Sequence, residues 1–278
     1  MIRGDAGAPG THDERPLGVF DSGIGGLTVV RELTRLLPDE ELVYFGDLAR
    51  LPYGNKSQES VTRFSREIAR FLLERGVKAI VVACNTASAY ALPALERSLD
   101  VPVVGVIDSG AAAAAERTKS GRVGVIGTAG TIRSSAYVTA LHTRRPELEV
   151  FAQACPLFVP LVEEGWVDHP VTRQVAHEYL APLEDHGLDT LILGCTHYPL
   201  LKSVIGAEMG PGVALIDSGE ETARSVAGLL AGRGLLASPG RQPVHAFYLS
   251  DLPVSFQDTA ERFLGRALPP VEVVTVQT

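Results

Sequence analysis

Short apolar runs alternate with longer amphipathic stretches along almost the whole chain. The runs are Leu17–Asp21, Leu42–Gly46, Ala79–Ala83, Val101–Ile107, Val123–Gly127, Val150–Ala154, Thr190–Gly194, Val213–Asp217 and Val244–Leu249. Most are nearly continuous Val, Ile and Leu instead of alternating with polar residues, the pattern of strands covered on both faces of a parallel sheet. Between them, apolar positions recur at helical spacing over Leu27–Leu37, Ser57–Arg75, Ala87–Leu99, Ala111–Lys119 and Val171–His186. Strand and helix in alternation predict an α/β fold in which helices cross over between parallel strands.

The pattern also repeats weakly. Gly18-Val-Phe-Asp-Ser-Gly opens one half and Gly124-Val-Ile-Gly-Thr-Ala-Gly another, and each is followed at a comparable distance by an apolar run ending in cysteine: "VVACNTAS" with Cys84, "LILGCTHYPL" with Cys195. This predicts two similar lobes, each a mostly parallel sheet flanked by helices. Ligands of such sheets bind beyond the carboxyl ends of the strands, so facing lobes would present the two cysteines across one cleft. "VIDSG" (106–110) and "LIDSG" (215–219) read as the crossings between lobes. Their Asp-Ser pairs read as helix N-caps, Ser218 and Glu221 having capping-box spacing. The expected division is a disordered tail over 1–16, a first lobe of 17–107 plus 217–278, and a second lobe of 108–216.

Composition narrows the function classes. The 278 residues are 45% apolar, enough for two cores without a structural metal, and the net charge is −8. An acidic chain with no dense basic stretch is not expected to bind nucleic acid. No apolar stretch approaches the ~18 residues that span a bilayer, and the start has no hydrophobic segment of signal-peptide length. Three cysteines do not make a disulfide framework. A cytoplasmic protein with reduced thiols is expected.

Taken singly, Cys84 reads as a buried structural residue. Its place at the end of an apolar run, just before a helix start near Asn85–Ala87, favours a reactive thiol instead. Cys195 repeats the setting and adds His197, whereas Cys155 has no polar neighbours of that kind and keeps the structural reading. No Cys-x-x-Cys pair accompanies Cys195 and His197, so zinc is not expected. A hydrolase nucleophile based on Cys195 and His197 is chemically sound but leaves Cys84 without a task. "FDSGIGG" (20–26) lacks the dinucleotide spacing; its Asp21 suits a substrate ammonium, and its glycines allow backbone N–H groups close to a carboxylate. The few lysines have no setting for a pyridoxal-phosphate Schiff base.

In fixed order, "FDSGIGGLTV", "PYGNKS", "ACNTAS", "CPLFVPLVEEG" and "GCTHYPLL" resemble the glutamate racemase family of the aspartate/glutamate racemase superfamily, from about Gly18 to about Leu230. The resemblance implies cofactor-independent interconversion of L- and D-glutamate for peptidoglycan synthesis, with no metal or pyridoxal phosphate, in a homodimer. It assigns Cys84 and Cys195 as the two acid/base groups, Cys84 acting on D-glutamate and Cys195 on L-glutamate. Asp21 would support Cys84; His197, backed by Glu163, would support Cys195. Substrate contacts would come from Asp21, Ser22, Tyr53, Gly54, Asn85, Thr86, Thr196 and His197. Two readings stand beside it: another racemase of the superfamily, such as one acting on aspartate, and a non-catalytic two-lobed amino-acid-binding protein, which would not explain the matched cysteines.

Overall fold

The computed structural model describes residues 12–254 and 256–276. Along the chain run β1 (Leu17–Asp21), α1 (Leu27–Leu36), β2 (Leu42–Gly46), α2 (Gln58–Leu73), β3 (Ala79–Val82), α3 (Asn85–Ser98), β4 (Val103–Gly105) and α4 (Val106–Arg117). These are followed by β5 (Arg122–Gly127), α5 (Ala129–Arg133), α6 (Ala136–Arg144), β6 (Glu149–Ala154), α7 (Phe158–Glu163), α8 (Pro170–Glu184), β7 (Thr190–Gly194), α9 (Lys202–Met209) and β8 (Ala214–Asp217). The chain closes with α10 (Ser218–Arg233), β9 (Ala246–Leu249), α11 (Phe256–Leu264) and β10 (Val271–Val273).

The strands form a six-stranded sheet, order β10-β9-β2-β1-β3-β4, and a four-stranded sheet, order β6-β5-β7-β8. Every pairing is parallel, as the continuous apolar runs require. The order β2-β1-β3-β4 recurs as β6-β5-β7-β8, so β3 and β7, the strands that lead into the two cysteines, occupy matching places. Leu17, Val19, Ile80, Val81, Leu191 and Ile192 are wholly buried in these sheets.

The structure differs from the sequence reading at several places. The run 101–107 is a three-residue strand, and α4 begins already at Val106 with Gly105 at its N-cap. Asp108 therefore lies inside the first turn of α4, where its carboxylate pairs with Arg144. In the second crossing the cap is Asp217, whose Oδ1 accepts the Gly219 and Glu220 N–H groups at 2.9 and 3.3 Å. Ser218 does not form a capping box; its hydroxyl donates to Leu193 O.

Of the expected tail, residues 1–11 lie outside the described residues, whereas 12–16 run along the six-stranded lobe. Asp13 N–H donates to Leu236 O, and Asp13 O accepts from Lys78 Nζ at 2.6 Å. Lys78 is fully buried and pairs with Glu40 at 2.6 Å, while Glu40 also accepts the Ala237 N–H. Burying a lysine needs such a partner, because an unpaired ammonium out of water costs several kcal/mol.

Candidate active site

Both cysteines stand where a fully buried strand ends, Cys84 two residues past β3 and Cys195 directly after β7, and each is 6% exposed. Cys84 is the N-cap of α3: its Sγ accepts the Ala87 N–H at 3.4 Å and lies 3.6 Å from Ser22 Oγ. Burial, and then the charge of Asp21, push the Cys84 thiol up to about 12 against the helix-terminus N–H, which acts the other way. Asp21 ends β1 and is itself raised, first by burial and with His197 opposing. Its Oδ2 accepts the Gly23 N–H at 3.0 Å.

Cys195 has different company. His197 Nδ1 lies 3.9 Å from its Sγ, and His197 Nε2 is 3.0 Å from Glu163 Oε1, at the end of α7. Burial alone would lower the imidazole, but hydrogen bonding and charge from Cys195 and Glu163 overcome it and raise His197 to about 10. The ring is fixed from α11 as well, with the Phe263 ring edge-on, centroids 4.9 Å apart at 80°, and Arg262 donating to Glu163 O at 3.1 Å.

The turn after β1 explains its glycines. A Cβ on Gly25 would lie 2.1 Å from Thr196 Oγ1 and 2.6 Å from the His197 ring, and one on Gly26 would lie 2.5 Å from Asp21 Cβ. Only residues without a side chain let this turn reach the Cys195 loop, where Thr28 Oγ1 donates to Thr196 O at 3.0 Å. Asp21, Ser22, Cys84, Thr196, Cys195 and His197 are thereby drawn into one buried region.

Across the seam between the lobes, Thr86 Oγ1 is 3.0 Å from Thr128 Oγ1 and 3.2 Å from Thr131 Oγ1. Gly54 packs on Thr128, and its carbonyl would be 2.8 Å from a Cβ on Gly130. Tyr53 is placed otherwise than a substrate contact through its hydroxyl would need: that hydroxyl donates to Asp47, leaving the Tyr53–Gly54 backbone at the seam. Thr128, Thr131 and Tyr137, which donates to Asn85 Oδ1 at 2.7 Å, were not singled out from sequence. The repeat held a signal for one of them, since "GVIGTAG" aligned on "GVFDSG" sets Thr128 against Ser22. The thiol of Cys155, wholly buried, lies 3.8 Å from the Gln153 carbonyl.

Two buried side-chain atoms of this region have no hydrogen-bond partner among the described residues: Asp21 Oδ1 and Asn85 Nδ2. One is an acceptor and the other a donor, and such atoms are costly to bury unless a ligand completes them. No three His, Cys, Asp or Glu side chains among the described residues are grouped to hold a metal ion.

Comparison with known proteins places this arrangement. The model of the Asp/Glu/hydantoin racemase family matches residues 19–226. A glutamate racemase of Geobacter metallireducens is 56% identical over 95% of this chain and 97% of its own. Among solved structures, glutamate racemase from Francisella tularensis in complex with D-glutamate superposes with a TM-score of 0.89 at 41% identity, covering 95% of this chain and 98% of that one. The Thermus thermophilus glutamate racemase in complex with β-chloro-D-alanine gives 0.86 at 50% identity, with the same coverage. Likeness of this extent and depth, running through both cysteine loops, makes the chain a member of the Asp/Glu/hydantoin racemase family and, within it, of the glutamate racemases.

Proposed function

We propose that the protein interconverts L- and D-glutamate by proton transfer at Cα between two thiols, without metal or organic cofactor. The observation that carries this reading is the pairing of two buried cysteines at matching strand ends with an orphaned acceptor, Asp21 Oδ1, and an orphaned donor, Asn85 Nδ2. An amino acid supplies an ammonium to the first and a carboxylate to the second. Inversion of a stereocentre needs one proton carrier on each face of Cα, which a single reactive cysteine would not provide.

In the resting cleft His197 carries a proton at neutral pH and Cys84 keeps its own. With L-glutamate bound, Cys195 removes the Cα proton and Cys84 delivers one to the opposite face; D-glutamate reverses the roles. The handedness follows the family resemblance. The substrate ammonium beside Asp21 offsets the negative charge that otherwise disfavours the Cys84 thiolate. Cα–H is a very weak acid, so most of the barrier falls to stabilising the planar carbanionic transition state. Each donor to the substrate carboxylate contributes ~2.7–4 kcal/mol by analogy with oxyanion holes, more effectively in a cleft that excludes water.

The known structures support glutamate as substrate, since the Francisella relative holds D-glutamate. D-Glutamate for peptidoglycan, a cytoplasmic location and a homodimer complete the reading. The test is polarimetry of purified protein with L- or D-glutamate, without added cofactor and after EDTA, with aspartate alongside. Racemisation in D₂O is expected to place deuterium in the product enantiomer first. Faster turnover of aspartate, or loss of activity on chelation with recovery on a divalent ion, would overturn it.

A further inference from the structure

Asn85 follows Cys84 and is 3% exposed, yet among the described residues its side-chain amide has one hydrogen bond, across the seam. Its partner is Tyr137 of α6, in the other lobe. The Tyr137 ring packs against the site of β7 just before Cys195: a Cβ on Gly194 would lie 3.1 Å from its Cε2. One tyrosine thus touches the neighbours of both cysteines. An amide has two faces, a carbonyl that accepts and an NH₂ that donates, and nothing else on Asn85 decides which points where. Burial, opposed by Ser218 and reinforced by the charges of Cys195 and Asp217, pushes the Tyr137 hydroxyl up, so it keeps a proton to donate at any working pH. In the structure that proton goes to the Asn85 carbonyl oxygen at 2.7 Å, and this leaves Nδ2 turned to the unpartnered side.

We propose that Tyr137 is a positioning residue: it locks the Asn85 amide so that Nδ2, and not the carbonyl oxygen, meets the substrate carboxylate. The inference rests on the reading of the cleft as an amino-acid site. Without the tyrosine hydroxyl the amide is free to turn, and half of its orientations present a carbonyl oxygen to a carboxylate, which repels it. The hydroxyl acts on the substrate through Asn85, and this separates it from a residue that merely packs.

The test is a double-mutant cycle on the full chain, with kcat/KM measured from both enantiomers and folding checked by circular dichroism. Tyr137→Phe keeps the ring packing and is expected to lower kcat/KM about ten-fold, the scale of one hydrogen bond. Asn85→Ala is expected to lower it further, and the double variant is expected to match Asn85→Ala alone, since the tyrosine then has nothing to orient. Effects that multiply, or a Tyr137→Phe protein with wild-type kcat/KM, would overturn the proposal. Asn85→Asp gives an independent reading that does not depend on Tyr137→Phe folding. Its carboxylate still accepts from Tyr137 but presents an oxygen where the donor stood, so kcat/KM should fall at least as far as in Asn85→Ala. An aspartate variant more active than the alanine one would count against it. Wild-type protein that does not racemise glutamate would defeat the functional reading instead, so the two failures are told apart.

Discussion

The thiols differ less in position than in what holds their protons, and that difference is open to measurement residue by residue. His197 is raised from 6.5 to about 10 in the folded chain. A group raised by folding contributes stability that is whole below about 6.5 and is lost as pH climbs through about 10. Cys84, raised from 9.0 to about 12, adds a loss of the same sign in a higher window. The melting temperature is therefore expected to fall between about pH 7 and pH 10, and His197→Asn to flatten the part of the slope below about pH 9. Equal slopes in the two proteins would mean that His197 is not held protonated by the fold. Replacement of either cysteine by alanine is expected to abolish racemisation, because one face of Cα loses its proton carrier. Abstraction alone still suffices to eliminate HCl from β-chloroalanine: the Cα proton passes to the remaining thiolate, the Cα electrons form the double bond, and chloride leaves. Cys195→Ala should act on the D analogue and Cys84→Ala on the L analogue; assays showing both variants with the same handedness would sink the two-base assignment.

At the scale of elements, the β1–α1 turn can be tested by one methyl group. Gly25→Ala forces a Cβ to 2.1 Å from Thr196 Oγ1 and 2.6 Å from the imidazole, so turnover is expected to fall by roughly 10²-fold or more, as when a positioned acid/base group is displaced. Gly228, inside α10 with nothing within 4 Å of an added Cβ, is the control. Gly228→Ala should leave turnover unchanged and stabilise the fold by ~0.5–1 kcal/mol. Sheet strands such as Leu17–Asp21 and Thr190–Gly194 were legible residue for residue, because burial on both faces leaves an unbroken apolar run. The edge strand β10 was not legible: three residues, one of them Glu272, carry too little pattern. Nor was the break between α5 and α6, which depends on Ser135 taking φ 56°, a left-handed conformation that a serine does not announce as a glycine or asparagine would. The cysteine loops announced themselves through residue chemistry at a strand end. Thr131 and Tyr137 did not, because their part in the site comes from the other lobe's Thr86 and Asn85, a contact only the docking of the two sheets creates.

The whole molecule combines a repeated architecture with unlike chemistry. Both sheets share one strand order and place a cysteine after the equivalent strand, but Cys84 sits with Ser22, Asp21 and a helix N–H, and Cys195 with His197 and Glu163. Thermodynamics limits how that asymmetry can show. Enantiomers have equal free energies in water, so a racemase must have the same kcat/KM in both directions at every pH, whatever the two lobes look like. The asymmetry is confined to kcat and KM taken separately, which must then differ by one common factor. The resting protonation, with an imidazolium beside Cys195 and a neutral Cys84, is the form that accepts L-glutamate. Free protein that has just released L-glutamate is back in that form, whereas release of D-glutamate leaves the opposite one, which must relax. The factor is therefore expected to differ from one, and to change with pH as His197 titrates. Initial rates from each pure enantiomer, followed by polarimetry in wild type and in His197→Asn, measure it directly. The variant should move kcat and KM unequally between directions while their quotient stays matched. Identical kcat and identical KM from both enantiomers, in both proteins, would mean that the two thiol settings are equivalent in function and that the unlike partners of Cys84 and Cys195 do not set the protonation cycle.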